Sequence, residues 1–406
     1  MRPAIDGARL IARLKELGET GRDTEGRLCR LAGSDADKAG RDLLCRWMHA
    51  AGLRVEIDRI GNIHGLWQPG GAEGDPVMIG SHIDTVIDAG IYDGCLGVLA
   101  GLAVIEAMQA AGIRPSHPLA LVAFTNEEGV RYAPDMMGSL VAAGGMEVAE
   151  ALATIGTDAS TLGAELARIG YAGEREPGFL TPRAFLELHV EQGPVLEAGA
   201  LQVGVVDTLQ GISWQRVTIG GTANHAGTTP MALRRDAGVA AARVVTFLDR
   251  LARGTAGAVA TVGTLRLAPD AINVIPASAV FTVDLRNPDD ACLRDLEAAL
   301  ETCLDELRAE GLAVTTEPLA RFAPVRFDPG IVATIEEAAT ERRLTWHRMT
   351  SGAGHDAQMM ARVAPSAMIF VPSRDGISHN PAEFTDDSAL VIGADLLLDV
   401  AGRLCR

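Results

Sequence analysis

Residues 76–125 read PVMIGSHIDTVIDAGIYDGCLGVLAGLAVIEAMQAAGIRPSHPLALVAFT, and the alternation of apolar and polar segments in this stretch decides the fold class. An apolar run at Pro76–Gly80 predicts a strand, and a long apolar segment at Leu96–Ala111 predicts a helix. Leu119–Thr125 predicts a second strand. A strand, a helix and a strand in this order are typical of an α/β sheet with helices packed on its faces.

Similar patterns flank this stretch, and their order changes twice along the chain. From residue 211 the order becomes strand, helix, strand, strand, helix, strand, which is typical of a ferredoxin-like α+β unit. After residue 326 the α/β pattern returns. We therefore predict an α/β fold with a mixed sheet flanked by helices, built from residues 1–210 and 327–406. A smaller ferredoxin-like α+β domain, 211–326, is inserted into it. The individual predictions include a helix over Glu147–Ile169 and a strand over Val259–Leu267.

The charge balance of the chain is acidic. Its 406 residues include 36 Lys and Arg against 53 Asp and Glu, which gives a net charge of −17. A nucleic-acid-binding surface needs clustered basic residues to displace counterions from phosphates, and no run of Lys or Arg here is longer than two residues. The composition therefore excludes a generic nucleic-acid binder, and the length predicts two or three domains.

Neither the cysteines nor the apolar segments indicate secretion or a membrane location. The six cysteines are scattered without a C-x-x-C pair, a pattern that favours reduced thiols. The first residues, MRPAIDGARLIARLKELGE, carry charges throughout and predict an amphipathic helix instead of a signal peptide. No segment is long and apolar enough to predict a membrane span. We expect a soluble cytoplasmic protein that binds no membrane.

The first candidate site residues follow the strand at Pro76–Gly80. In G-S-H-I-D-T-V, His82 comes after the strand and Asp84 lies two residues on. On an extended chain its carboxylate lies on the same side as the imidazole and orients it without binding a metal itself. In Y-D-G, Asp93 precedes a tight turn, where its two oxygens are able to bridge two cations. Taken alone, H-x-D is more often a polar strand end.

The second strand, Leu119–Thr125, ends in N-E-E-G, so Glu127 and Glu128 are adjacent. Two neighbouring carboxylates after an apolar strand are costly if both stay charged, unless a cation compensates one of them. One carboxylate would then bind a metal and the other would act as general base on metal-bound water. For an isolated E-E pair, a solvated acidic loop is the alternative interpretation.

Two further histidines complete a possible ligand set. One ends a short strand in F-L-E-L-H-V-E-Q-G-P, and the other lies in the loop S-R-D-G-I-S-H-N-P. Three histidines and two carboxylates are enough to hold two divalent metals and a bridging water. The five candidate ligands are His82, Asp93, Glu128, His189 and His379.

These motifs occur in one order with others further along the chain: G-T-A-N-H-A-G-T-T-P-M, D-L-R and S-G-A-G-H-D-A. Together they resemble the hydantoinase/carbamoylase family amidases. That family includes N-carbamoyl-L-amino-acid hydrolases and allantoate amidohydrolases, and it belongs to the dinuclear M20 metallopeptidase superfamily. The resemblance covers roughly residues 10–400. The loop V-I-D-A-G at 86–90 departs from many relatives, which carry a Pro and paired glycines there.

The resemblance implies a two-metal centre in each subunit, with Zn, Mn, Co or Ni as the metal. It implies that Asp93 bridges the ions, that His82 and His379 are terminal ligands on either side, and that Glu128 and His189 complete the two metal spheres. Glu127 would be the general base. The peptidase branch usually carries a carboxylate in place of His189, so this histidine marks the carbamoylase branch.

The resemblance also implies roles for the inserted domain as a lid and dimerisation domain. His225 would reach the active site of the partner subunit in a homodimer and stabilise the oxyanion, while Asn273 and Arg286 would hold the substrate carboxylate. The planar guanidinium of Arg286 suits a carboxylate, but a surface ion pair fits the sequence equally well. Further substrate-facing positions match the family's pattern: Gln192, Gly352, Ala353 and Gly354.

The expected function is a metal-dependent amidohydrolase that cleaves the carbamoyl (ureido) C–N bond of small carboxylates such as N-carbamoyl-L-amino acids, releasing ammonia and CO2. In this expectation Glu127 is the general base on a metal-bridging water. Three alternatives stay open: an allantoate amidohydrolase, an aminoacylase or peptidase of the same superfamily, and a non-catalytic small-molecule binder.

Overall fold

The structure is a computed structural model that describes residues 2–406, and the chain divides into two compact units. The first unit consists of the chain up to Asp207 together with Phe327–Arg406. The second unit is Thr208–Arg326. The predicted inserted segment, 211–326, lies within the second unit.

Helices and strands alternate along most of the chain. The helices are α1 (Gly7–Glu19), α2 (Asp35–Ala50), α3 (Cys95–Ala110), α4 (Met137–Ala142), α5 (Val148–Ala153), α6 (Leu162–Ile169), α7 (Val195–Ala198), α8 (Ala237–Gly254), α9 (Asp290–Ala309), α10 (Pro329–Glu341), α11 (Asp356–Met360) and α12 (Asp387–Leu404). The strands are β1 (Arg54–Ile57), β2 (Ile63–Trp67), β3 (Val77–His82), β4 (Leu119–Phe124), β5 (Ala184–Val190), β6 (Val203–Leu209), β7 (Gly211–Gly220), β8 (Val259–Thr261), β9 (Leu265–Ala268), β10 (Ser278–Asn287), β11 (Ala313–Phe322), β12 (Val325–Arg326), β13 (Trp346–Ser351) and β14 (Ser366–Val371).

The first unit is built on a mixed sheet in the order β1-β2-β4-β3-β5-β14-β6, with β13 also paired to β6. The central strands β4, β3, β5 and β14 are parallel neighbours, and antiparallel pairs flank them. All residues of the four central strands are buried, as is usual for a parallel sheet covered on both faces. The predicted α/β class with a mixed sheet is therefore confirmed.

Helices cover both faces of this sheet. Leu188 of β5 contacts α12, where a Cβ on Gly393 would lie 3.0 Å from the Leu188 side chain. The preceding residue, Glu187, points to the opposite face, since side chains alternate along a strand, and it accepts a hydrogen bond from the first turn of α11 at Ala357 N (2.8 Å). The sheet thus separates α12 from α11.

Helix α3 packs very closely on the sheet because two glycines face it. A Cβ on Gly97 would lie 2.7 Å from the Leu188 carbonyl oxygen and 2.9 Å from the Ser81 Cβ. A Cβ on Gly101, one turn further, would lie 2.9 Å from the Ile79 side chain. These contacts set the position of the helix whose first residue follows the turn at Asp93 and Gly94.

The second unit has an antiparallel sheet in the order β11-β7-β10-β8, with β9 also paired to β10. Helices α8 and α9 cover it and enclose an apolar core. This is the strand order of a ferredoxin-like unit, as the sequence predicts. The leucines of α9 are buried in this core at helical spacing: Leu293, Leu296, Leu300, Leu304 and Leu307.

Two predicted elements are interrupted in the structure. The predicted strand Val259–Leu267 is split into β8 and β9, because three residues, 262–264, face only two residues of β10, 282–283. This is a β-bulge. The predicted helix Glu147–Ile169 is split into α5 and α6, because the Thr161 hydroxyl accepts a hydrogen bond from Ala164 N (3.3 Å) and starts a new helix there.

No helix among residues 2–406 is both long and apolar enough to cross a membrane. Within the same residues the six cysteines form no disulfide.

The close packing of α3 leads to a stability prediction. Gly97→Ala would force a methyl group against the Leu188 carbonyl and should lower the free energy of unfolding by about 1–3 kcal/mol. The matched control is Gly402→Ala in α12, where the nearest atom to a new Cβ is 4.0 Å away. That variant should be unchanged or more stable by up to about 1 kcal/mol. Urea unfolding of both variants measures the difference, and equal stabilities would contradict the packing argument.

Candidate dimetal active site

The candidate site residues of the first unit lie at the carboxyl ends of its central strands. His82 is the last residue of β3, and Glu127 and Glu128 follow β4. His189 is near the end of β5, and His379 lies in the loop after β14. Because these four strands run parallel, their carboxyl ends meet at one edge of the sheet, where α/β proteins place their ligands.

Asp93 lies at the centre of this group, and each of its carboxylate oxygens has its own partners. The Oδ1 atom is 3.5 Å from His82 Nε2 and 3.1 Å from His189 Nε2. The Oδ2 atom is 3.2 Å from His379 Nε2, which is in turn 3.5 Å from Glu128 Oε2. Two groups of three possible metal ligands therefore share Asp93, and within each group the ligand atoms all lie within 4.8 Å of one another.

The two buried histidines present Nε2 to Asp93 because a backbone carbonyl engages the other ring nitrogen. His82 Nδ1 is 2.9 Å from the Asp84 carbonyl oxygen, and His189 Nδ1 is 2.8 Å from the Val190 carbonyl oxygen. Each Nδ1 therefore donates to the backbone, which leaves Nε2 as the ring nitrogen that faces Asp93 and that would bind a metal once it is deprotonated.

Gly94 permits the close approach of these groups. Its φ angle is +63°, and a Cβ there would lie 2.4 Å from His82 Nε2. Its backbone N–H also donates to His189 Nε2 (3.1 Å). Glycine is thus required next to Asp93 both by the backbone conformation and by the imidazole that packs on it.

The sequence predicts that the Asp84 carboxylate orients the His82 imidazole, and this prediction is wrong as to the group that does so. Its Oδ1 is 3.9 Å from His82 Nδ1, and it is the Asp84 carbonyl that orients the ring. Since β3 ends at His82, the alternation that would bring the Asp84 side chain alongside the imidazole does not continue. The carboxylate instead accepts hydrogen bonds from the backbone N–H groups of Glu127 and Glu128, both at 3.2 Å. It therefore holds the loop that carries the two glutamates.

The two glutamates differ in their surroundings. Glu127 Oε2 is 3.3 Å from His82 Nε2, and burial raises the pKa of Glu127 well above its usual value. Burial also raises the pKa of Glu128 to about 7, and the nearby Asp93 charge adds to this. Within the described chain, 2–406, the buried Glu128 Oε1 atom has no hydrogen-bond partner. A cation at Glu128 would relieve both costs.

His379 is the most accessible member of the group, with 52 % of its side chain exposed. Its φ angle is +52°, which is unusual for a residue other than glycine. The hydrogen bond with Asp93 raises the pKa of His379 to about 9. Gln192 contacts the same carboxylate, since its Nε2 donates to Asp93 Oδ2 (2.9 Å).

The glycine-rich turn before α11 is held by hydrogen bonds within itself. It contains three of the predicted substrate-facing positions, Gly352, Ala353 and Gly354. The Ala353 N–H donates to the Ser351 hydroxyl oxygen (3.2 Å). The substrate-facing roles of Gly352, Ala353 and Gly354 stay predictions.

The remaining predicted residues lie in the second unit. His225 and Asn273 are on neighbouring loops: the Ala226 N–H donates to the Asn273 carbonyl (2.9 Å), and His225 forms a backbone bridge with Val274. Both side chains are exposed. Arg286 lies on β10 and forms an ion pair with Asp284 (2.8 Å) on the same strand, which is the alternative that the sequence left open. The substrate roles of these three residues stay predictions.

Comparison with known proteins identifies the family. The model of "Peptidase family M20/M25/M40" matches residues 78–403. The N-carbamoyl-L-amino-acid amidohydrolase of Rhizobium meliloti is 39% identical over 97% of this chain and 95% of its own length. The allantoate amidohydrolase of Escherichia coli (strain K12) is 34% identical over 94% of each protein. A crystal structure of an amidase of the hydantoinase/carbamoylase family from Burkholderia multivorans matches with a TM-score of 0.96, at 43% identity and 99% coverage of both chains.

This chain is a hydantoinase/carbamoylase family amidase of the M20 group. The resemblance inferred from its motifs is confirmed. The amidase is accordingly a hydrolase of amide C–N bonds, and it belongs to a metal-dependent family whose ligand types match the buried histidines and carboxylates described above.

One residue of the amidase site that the sequence did not single out is Glu383. Its carboxylate accepts hydrogen bonds from the backbone N–H groups of Tyr92 (3.0 Å) and Asp93 (3.3 Å) and from the Ser378 hydroxyl (3.0 Å). Burial raises the pKa of Glu383 to about 6. The available signal was its place four residues after His379, in S-H-N-P-A-E.

A second overlooked group lies behind His189. Glu187 is a buried carboxylate that accepts hydrogen bonds from the Ser81 hydroxyl (2.6 Å) and from Ala357 N (2.8 Å). The buried ring of His355 packs edge-on against His189, with centroids 4.5 Å apart. A charged residue inside the apolar strand F-L-E-L-H was the signal for Glu187, since such a residue is buried at a cost.

The raised pKa values predict that metal binding to the amidase releases protons. Because the pKa is about 9 for His379 and about 7 for Glu128, His379 is protonated and Glu128 is about half protonated at neutral pH in the metal-free protein. A cation must displace these protons, so the apparent affinity for Mn²⁺ or Zn²⁺ should rise as the pH rises from about 6 to about 9. Calorimetric titrations in buffers of different ionisation enthalpy measure the released protons. An affinity independent of pH over this range would contradict the assignment of these two ligands.

Proposed function

We propose that this amidase hydrolyses the carbamoyl (ureido) C–N bond of small carboxylates at a centre of two divalent metal ions. The observation that carries the proposal is the position of Asp93, whose two oxygens face different histidines (3.1 Å to His189, 3.2 Å to His379). A carboxylate in this position is suited to bridging two cations.

The donor set fits such a centre. Imidazole and carboxylate ligands suit Zn, Mn, Co or Ni. In the proposal His82, Asp93 and His189 would hold one ion, and Asp93, Glu128 and His379 would hold the other. The unpaired buried Glu128 Oε1 supports this, because a cation would satisfy it. Divalent ions held there would supply Lewis-acid chemistry, namely a lowered pKa of a bound water and polarisation of the substrate carbonyl.

Glu127 is the proposed general base. It is buried, lies 3.3 Å from His82 Nε2, and has a pKa raised by burial, which suits a carboxylate that accepts and returns a proton. Its carboxylate takes a proton from the attacking water and delivers it to the nitrogen that leaves as the substrate's amine. The carbamoyl group leaves as carbamic acid, which breaks down to CO2 and ammonia.

Gln192 is the proposed substrate contact of the first unit. Its Nε2 is fixed by Asp93, and in the chain from residue 2 to 406 its buried Oε1 has no hydrogen-bond partner. That oxygen is therefore available to accept from a substrate N–H group. The family resemblance further supports a carboxylate-binding role for Asn273 and Arg286 and an oxyanion-stabilising role for His225.

We also propose that the amidase is a homodimer formed through its second unit. Exposed apolar residues on that unit support the proposal, with Met231 72 % and Leu233 73 % accessible. The mass of the native protein in solution tests it.

Substitution of the two adjacent glutamates should have different effects on turnover and on metal content. Glu127→Gln should keep both metal ions and lose about 10²–10⁴-fold in kcat, because the proton acceptor is removed. Glu128→Gln is the matched control, since it sits one residue away and should lose bound metal instead. Metal analysis and steady-state kinetics separate the two outcomes. Near-normal turnover by Glu127→Gln would contradict the proposed mechanism.

The substrate class is tested with Mn²⁺ supplied, by ammonia release from ureido acids and by release of the free amino acid from N-acyl amino acids and peptides. N-carbamoyl-L-amino acids should be hydrolysed and N-acyl amino acids should not. Allantoate is the second candidate, because the Escherichia coli relative that acts on it is 34% identical to this chain. Activity confined to N-acyl amino acids or peptides would favour the aminoacylase or peptidase alternative. A purified protein that binds no metal and cleaves none of the panel would favour a non-catalytic binder.

A further inference from the structure

Arg30 is a fully buried arginine whose guanidinium bonds to backbone carbonyls and a thiol. Its Nε donates to the Ile83 carbonyl (2.6 Å), and its Nη1 donates to the carbonyls of Leu17 (2.8 Å) and Thr20 (2.7 Å). Its Nη2 donates to the Cys95 thiol (3.2 Å). A buried cation is costly unless its hydrogen bonds are satisfied, so this arrangement needs a specific reason.

These partners belong to three separate parts of the first unit. Leu17 and Thr20 are at the carboxyl end of α1, where free carbonyls attract a cation. Ile83 directly follows His82, and Cys95 comes two residues after Asp93. The guanidinium therefore joins the end of α1 to both ends of the loop that carries two of the proposed metal ligands.

The backbone beside Arg30 holds the middle of the same loop. The Arg30 N–H donates to the Thr85 hydroxyl (2.9 Å), and the Thr85 N–H donates to the Arg30 carbonyl (3.0 Å). Further along, the Ala89 N–H donates to the Leu28 carbonyl (3.0 Å). The segment 28–30 thus fixes the loop between His82 and Asp93 at several points.

The path of the Arg30 side chain is enclosed by α2. A Cβ on Gly40 would lie 2.6 Å from Arg30 Cδ, so α2 leaves room for the arginine by having a glycine at this position. The guanidinium is therefore held from both sides, by its hydrogen bonds and by the packing of its stem.

We propose that Arg30 is a positioning residue for the metal centre: it holds His82 and Asp93 at the spacing that metal binding requires. The proposal rests on the proposed function, because it presumes that these residues are ligands. Lysine has a compact ammonium group in place of the planar fork and is unable to reach four acceptors in three segments. Residues that orient metal ligands typically contribute a factor of about 10–100 to metal affinity.

The test compares Arg30→Lys and Arg30→Gln with the wild-type protein. Dissociation constants for Mn²⁺ and Co²⁺ are measured by competition with a chelator, and the visible spectrum of the Co²⁺ form reports ligand geometry. We expect about 10- to 100-fold weaker metal binding and altered Co²⁺ bands in both variants.

Arg13→Gln is the matched control. Arg13 also lies on the α1 side of the unit, is largely buried, and bonds through two nitrogens to Glu106 of α3 (2.8 and 2.9 Å), far along the helix from Asp93. Its loss should lower the melting temperature without changing the metal dissociation constants or the Co²⁺ spectrum. A general loss of stability is thereby distinguished from a displaced ligand loop.

The outcomes separate the two proposals. If the wild-type protein binds no divalent metal, the proposed metal centre fails. If the wild type binds metal and the Arg30 variants bind it equally well with the same Co²⁺ spectrum, the positioning role of Arg30 is overturned while the metal centre stands. Should the Arg30 variants not fold, Gly40→Ala decides, because its methyl group displaces the arginine stem and should also weaken metal binding; unchanged binding would overturn the proposal.

Discussion

A charged carboxylate in the protein interior is the constraint around which the first unit is organised. Burial alone would raise the pKa of Asp93, but hydrogen bonds from His189, His379 and His82 hold it well below its usual value. An anion buried at this depth must be surrounded by donors on every side. The four parallel strands satisfy this requirement, because their carboxyl ends deliver side chains from distant parts of the chain to one point.

Two buried carboxylates behind the site hold the loops that carry the site residues. Glu383 accepts from the backbone of Tyr92 and Asp93, and Asp84 accepts from the backbone of both glutamates. Each of these two carboxylates fixes a loop by accepting hydrogen bonds from its backbone N–H groups. Loops without regular structure are otherwise the least defined parts of a fold, so buried acceptors replace the missing ladder of strand hydrogen bonds.

Part of this arrangement could be predicted from the sequence, because several predicted ligands end or follow an apolar run that is visible as a strand. His82 and Glu128 are of this kind. The role of the Asp84 side chain was not predictable, since it depends on where β3 stops. Strand β13 was missed because W-H-R-M-T-S has no apolar run, and the bulge between β8 and β9 depends on pairing with a distant strand. Local pattern identifies elements, whereas tertiary pairing decides their ends.

The pairing of β5 with β14 has a consequence for synthesis of the protein. These strands are neighbours in the sheet, yet the whole second unit separates them in the chain, with Phe185 opposite Ser366. A ribosome-bound chain that has emerged as far as Arg326 already contains His82, Asp93 and Glu128 but neither β14 nor His379. Its central sheet then has an open edge at β5, a surface prone to mispairing. The second unit is continuous in sequence, so all its strands are available at that moment. The first unit is discontinuous, and its folding is completed only after the last eighty or so residues have been synthesised.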